Sequence, residues 1–193
     1  VRLFDWRLAA CAAAASLALA GCEQKRAAAP APPPDNVKAV MDSIMDPSGD
    51  FLFESVVDVS DDKGTRREAP QTDADWAEVQ HHLDQLNEGV RRLSVPGLAA
   101  AGPGDKSLNP EVELQPAEID KLLATDHADF LRRAGRLKDA AAEGSKAVKA
   151  KDVEGLLKAL TAIDHACESC HLKFWYPKDE RAHINARLEG VIE

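Results

Sequence analysis

The spacing of apolar residues between Trp76 and Leu93 constrains this chain more than any other feature. Trp76, Val79, Leu83, Leu86, Val90 and Leu93 follow one another in steps of three and four. A helix, with about 3.6 residues per turn, puts such positions on one face. Thr72-Asp73-Ala74-Asp75 supplies a cap and first-turn acids just ahead, and Pro96-Gly97 closes the segment. Three other stretches carry comparable stripes. In Val37 to Val59, Val37, Val40, Met41 and Ile44 fall at helical spacing, and Phe51, Leu52, Ser55 and Val56 continue the face. Pro47 predicts a kink or a fresh start there, because it loses a backbone donor and crowds the preceding turn; Asp46 would then be the cap and Pro47 the first helical residue. The third stretch opens at Pro116 and runs through Ile119, Leu122, Leu123, Phe130, Leu131, Ala134 and Leu137 towards Val148. The fourth begins near Asp152, with Val153, Leu156, Leu157, Leu160, Ile163, Cys167, Cys170 and Phe174 on one face and Pro177 as its limit.

Ser60–Gln71 reads as polar turn, and Leu98–Gln115 as a long loop holding Gly102, Pro103, Gly104 and Pro110. The expected fold is therefore all-α, an antiparallel four-helix bundle over 37–177, with 178–193 as a C-terminal tail. Composition agrees, since aromatics are only 5% and good helix formers dominate. The 33 acids against 24 bases give a net charge of −9, which argues against a nucleic-acid binder.

The N-terminal segment reads as an address. Arg2 and Arg7 precede a run of small and apolar residues from Leu8 to Gly21, too short for a comfortable membrane span. It ends in Leu19-Ala20-Gly21-Cys22, which resembles the lipobox of bacterial lipoproteins. That resemblance implies residues 1–21 are a signal peptide and Cys22 is the lipidated N-terminus of the mature chain. A plain secretory signal with a chance Cys is the alternative. Several acyl chains on one Cys would hold the protein firmly to a membrane. Glu23, where an Asp would favour inner-membrane retention, leans the expectation towards the outer membrane, on its periplasmic side. Residues 22–36, with Pro30, Pro32, Pro33 and Pro34 among alanines, read as a semi-rigid tether. Loss of Val1–Gly21 would remove two bases and one acid and deepen the charge to about −10.

Chemistry concentrates at Cys167-Glu168-Ser169-Cys170-His171. C-x-x-C-H is the attachment signature of c-type haem. On a helix, positions i, i+3 and i+4 share a surface, so two thiols can form thioethers with haem vinyl groups while the imidazole meets the iron. The cofactor implied is one covalent haem c, with Cys167 and Cys170 as its attachment points and His171 as the proximal ligand. Two other readings compete. A structural zinc site wants four ligands, and no second Cys pair completes one. A thioredoxin-like dithiol wants a strand-rich βαβ setting that is not visible. With Cys11 in the signal and Cys22 acylated, only Cys167 and Cys170 remain, so no disulfide framework is available.

The late position of the motif, in the last of four helical stretches, resembles the class II c-type cytochromes, the cytochrome c prime group. Cys170-His171-Leu172-Lys173-Phe174 looks like the C-H-x-x-F of that group, and Val37-Lys38-Ala39-Val40-Met41-Asp42-Ser43-Ile44-Met45 is similar to the Met-containing first helix of its low-spin members. Departures are Pro47, the Trp175-Tyr176-Pro177 ending and the extra tail. In low-spin members a first-helix Met is the sixth iron ligand; in the cytochromes c prime proper that place is apolar or aromatic. The resemblance therefore nominates Met41, which lies deeper in the apolar pattern, with Met45 as the alternative. His82 and His127, on the edges of apolar stripes, are rival ligands that core packing explains better. Trp76, Phe130 and Phe174 are candidates for packing against haem or simply for the core.

The expectation is a membrane-tethered, periplasmic monohaem cytochrome carrying single electrons, not an enzyme, since no nucleophile or acid–base arrangement is visible. Its acidity favours a redox partner with a basic docking face, and relatives of this kind often dimerise, so a homodimer is compatible. The rival reading is a five-coordinate haem protein that binds NO or CO.

Overall fold

The computed structural model describes residues 36–192, which fall in one compact unit spanning Pro32–Glu193. The signal segment, Cys22 and all of the tether but Asn36 lie outside the described residues. The described part is mainly helical. The first helical stretch is α1 (Val37–Val40), a π turn (Met41–Met45) and α2 (Asp46–Glu54). Then come strands β1 (Val57–Asp61) and β2 (Gly64–Glu68), followed by α3 (Asp73–Leu93), α4 (Pro116–Thr125), α5 (His127–Ala150), α6 (Val153–Phe174) and α7 (Glu180–Leu188).

The helices that hold the core are α3, α5 and α6, with α2 laid on α3. Leu83 and Leu86 of α3 and Leu156 and Ile163 of α6 are all 0–1% exposed. Burial of such side chains is worth about 1.5–3 kcal/mol each before entropy is counted. Between α5 and α6 the chain turns in two residues, with Lys151 in the left-handed region at φ 51° and Asp152 capping α6 by accepting from the Gly155 amide at 3.0 Å. At the start of α3, Thr72 and Asp75 form a reciprocal capping box, as the acids and threonine there predict.

Four features differ from the sequence expectation. Pro47 lies in the first turn of a fresh α-helical segment, but that segment begins at Asp46, so Asp46 is its first residue and not its cap. The chain widens into a π turn just before it, with the Asp46 amide donating to the Met41 carbonyl five residues back. A wider turn opens the carbonyls that a proline ring would otherwise crowd. Secondly, the polar Ser60–Gln71 segment is not all turn. Val57–Asp61 pairs antiparallel with Gly64–Glu68, Val57 facing Glu68 and Asp61 facing Gly64. Gly64 has φ 119°, which a side chain would resist. Across the pair, Arg67 grips both oxygens of Asp58 at 2.8 Å. Thirdly, the third stretch is two helices, because Asp126 leaves helical geometry (φ −114°, ψ 29°) between α4 and α5. Lastly, the supposed tail folds as α7, seated by Ala186 at 1% exposure and by a contact of His183 Nε2 with the Pro177 carbonyl oxygen at 3.1 Å. No described helix is long and apolar enough to cross a membrane.

Candidate functional site

The C-terminal half of α6 positions the Cys167, Cys170 and His171 side chains. The helix is regular there, so the i, i+3, i+4 spacing puts them on neighbouring positions of one surface. Arg133 of α5 braces this turn by donating from Nη1 to the Ser169 carbonyl at 2.5 Å, and Asp129 pairs with Arg133 at 3.2 Å. At the helix end Trp175 stands edge-on to the His171 ring, centroids 5.1 Å apart at 89°, and Tyr176 lies at 5.7 Å. Tyr176 in turn donates its hydroxyl to Glu168 at 2.6 Å.

Two cavities adjoin this surface. One of about 140 Å³ lies between α2, α3, α5 and α6, walled by Met41, Met45, Phe53, Leu86, Val90, Phe130, Ile163, Cys167, Cys170 and His171 among others. The second, about 290 Å³, is also lined by Cys170 and His171. Its size is near the lower end for small-molecule sites, roughly 300–1,000 Å³. Met41, Asp46, Phe130, Cys170 and His171 line both. The outer wall of the second cavity is the long loop, which supplies Ala100, Lys106, Leu108 and Leu114. Hydrogen bonds tie that loop to α1, to the residue that ends α6 and to α4. Val37 and Lys38 donate to the Ala99 and Ala100 carbonyls at 2.8 and 2.9 Å, and Leu114 donates to Trp175 at 2.8 Å. Asp120 of α4 accepts from the Ala100 amide at 2.7 Å. The first-turn amides of α1, which lack helical partners, are thus used to fasten the wall.

Burial governs the electrostatics. It pushes the Cys167 thiol up to about 12, with Cys170 and nearby acids adding to the shift. It pushes Cys170 up to about 11, opposed by the Arg133 guanidinium. Both are free cysteines held as thiols. A reactive dithiol needs the opposite, a depressed value that yields thiolate. Burial also lowers His171 to about 4, so the imidazole is neutral at physiological pH, the form that ligates metal. Asp46, at the junction of the cavities, is raised by burial first and by Asp42 and Asp50 next.

The donor set and the setting fit a covalent haem: two protonated thiols and a neutral imidazole on one helical surface, beside mostly apolar cavities. The zinc alternative fits less well, since no group of three or more His, Cys, Asp or Glu side chains gathers to hold a metal among the described residues.

Of the residues nominated from sequence, Met41, Met45, Cys167, Cys170 and His171 come together around the first cavity. The relative depth of the methionines is reversed. Met45 is buried at 6% exposure, whereas Met41 is part-buried. Phe130 lines both cavities and meets Phe174 edge-on at 5.3 Å. Trp76 is core and lines neither, and His82 and His127 are away from both walls. His82 instead stacks on Phe51, centroids 4.0 Å apart, with its Nδ1 buried and unpartnered. Sequence reasoning missed Arg133, Asp46 and the loop wall. Only Arg133 had a sequence signal, a cation three residues after Phe130 on an otherwise apolar stripe.

No protein-family model, curated protein or solved structure matches this chain.

Proposed function

We propose that this protein is a monohaem c-type cytochrome that carries single electrons, built on a four-helix bundle like that of the class II group and tethered by lipid at Cys22 on the periplasmic side of a bacterial membrane. The observation that carries the reading is the placement of Cys167, Cys170 and His171 on one apolar cavity wall that Met41 also lines. Haem, when bound, would supply the one-electron couple, with His171 and Met41 as the residues that would hold its iron. The chain's own residues do the rest. Cys167 and Cys170 anchor, and neutral His171 ligates from α6. Trp175 and Tyr176 fix the imidazole plane from the side, while Phe130 and Ile163 keep the wall dry. With Met41 as well as His171 holding the iron, no position would be left for a substrate, which favours electron transfer over catalysis or gas binding. The net charge of −9 favours a partner with a basic face.

The test is the full chain expressed with a periplasmic c-type maturation system. A haemochrome assay should report one covalent haem per chain. The ferrous protein should show a sharp low-spin α-band that CO leaves unchanged, and Met41→Ala should broaden it and make it respond to CO. A broad, CO-sensitive spectrum in the unmutated protein would instead identify a five-coordinate gas-binding haem protein. Absence of covalent haem would end the cytochrome reading.

A further inference from the structure

The chain has 2 methionines, and both come from the same π turn. What separates them is their partner on α3. Gly89 sits in the interior of that helix and is buried, a place where glycine is disfavoured against alanine unless something needs the space. A Cβ on Gly89 would fall 2.1 Å from Met45 Sδ and 3.2 Å from its Cγ, with Ile44 Cγ2 at 3.5 Å. The Met45 thioether therefore occupies the volume that a side chain at 89 would fill. Its sulfur is committed to α3, although its side chain also borders the first cavity. Met41 has no such seat; it is part-buried and lines both cavities beside His171.

We propose that Gly89 is a positioning residue. It takes the Met45 thioether into a notch on α3 and so leaves Met41 as the thioether available to the cavities that His171 also lines. The inference rests on the haem reading and adds the residue that decides between two equivalent donors. Its physical core is independent of haem. The atom that a new Cβ would strike is near the end of a flexible side chain, so Gly89→Ala displaces Met45 rather than separating the helices. A displaced Met45 has the first cavity, and its Cys167–His171 wall, as its nearest open volume.

The test uses the full chain labelled at the methionine methyl carbons, which gives two signals assignable with Met41→Leu and Met45→Leu. In the haem-free chain Gly89→Ala should move the Met45 methyl more than the Met41 methyl; an unmoved Met45 signal overturns the notch. In the ferrous haem-loaded protein the methyl shifted far upfield by the macrocycle should be that of Met41, and an upfield Met45 overturns the assignment. Met41→Ala alone should lose the low-spin band, and Gly89→Ala with Met41→Ala should recover it through the freed Met45. A double variant that is folded by circular dichroism yet stays five-coordinate overturns the proposal. Should Gly89→Ala fail to fold, Met45→Ala serves in its place: it must keep the low-spin band, and losing it sinks the idea. A chain that attaches no haem refutes the functional reading, and the haem-free methyl signals still decide the notch.

Discussion

Two helical walls face one another across the first cavity, and they are built differently. α6 is a regular helix, and its Cys167, Cys170 and His171 sit at the spacing any α-helix provides. The opposing wall, Val37–Glu54, passes through a π turn, and its buried positions Val40 and Met45 are five residues apart before the three- and four-residue steps resume at Ser48 and Leu52. One extra residue in a turn moves all that follows to a different face. Met45 thus lies against Gly89 of α3 as well as bordering the first cavity, while Met41 lines both cavities. A regular helix lets its face be read from the sequence, and an irregular one hides which of two like residues is buried.

The largest effects are expected in the core that both walls share. Leu156 of α6 and Leu52 of α2 are each 0% exposed. Leu156→Ala and Leu52→Ala should each cost about 2–5 kcal/mol in denaturant unfolding. A much smaller loss for Leu52 would show that the first stretch is docked loosely, and that its geometry does not hold Met41 in place.

A gentler probe is Pro47→Ala. Pro47 lies in the first turn of α2, so its replacement should change stability by less than about 1 kcal/mol, chiefly through the unfolded chain. It also removes the ring that the π turn accommodates. The methyl signals of Met41 and Met45 should therefore move while stability barely changes. Unmoved methyls would show that the π turn has another cause.

The smallest effect expected is in pH dependence. His82 of α3 stacks on Phe51 of α2, and burial first, then neighbouring His81, hold its imidazole below the ordinary value of 6.5, with Glu78 opposing. The unfolded chain takes up this proton as pH falls through about 6.5, and the folded chain does so only at lower pH. Stability from this group is thus present above pH 6.5 and is lost as pH falls through the folded value. His82→Gln should flatten the slope of unfolding free energy against pH in that window. An unchanged slope would mean that the α2–α3 contact does not depend on a neutral imidazole.

Much of the fold was legible because large apolar residues recur at helical period in each core helix. Trp76 to Leu93 and Val153 to Phe174 are the clearest cases. The hairpin was not legible, because β1 and β2 bury little and are held by charged cross-strand pairs such as Asp58–Arg67 and by the Gly64 turn. α7 was missed for a related reason: Ala186 is its one buried residue, too little to make a stripe. At the site, the C-x-x-C-H string announced itself, but the Gly89 notch could not. A lone glycine in a helical pattern states that something is close without saying what.

The sequence alone set the helical class, the cap at Thr72 and the spacing that puts Cys167, Cys170 and His171 on one helical surface, because those depend on local period and local chemistry. Tertiary structure alone decided that the loop before α4 walls the second cavity, that Arg133 braces the motif, and that Met45 rather than Met41 is buried. These depend on which elements meet, and contacts between segments distant along the chain leave no periodic trace in it.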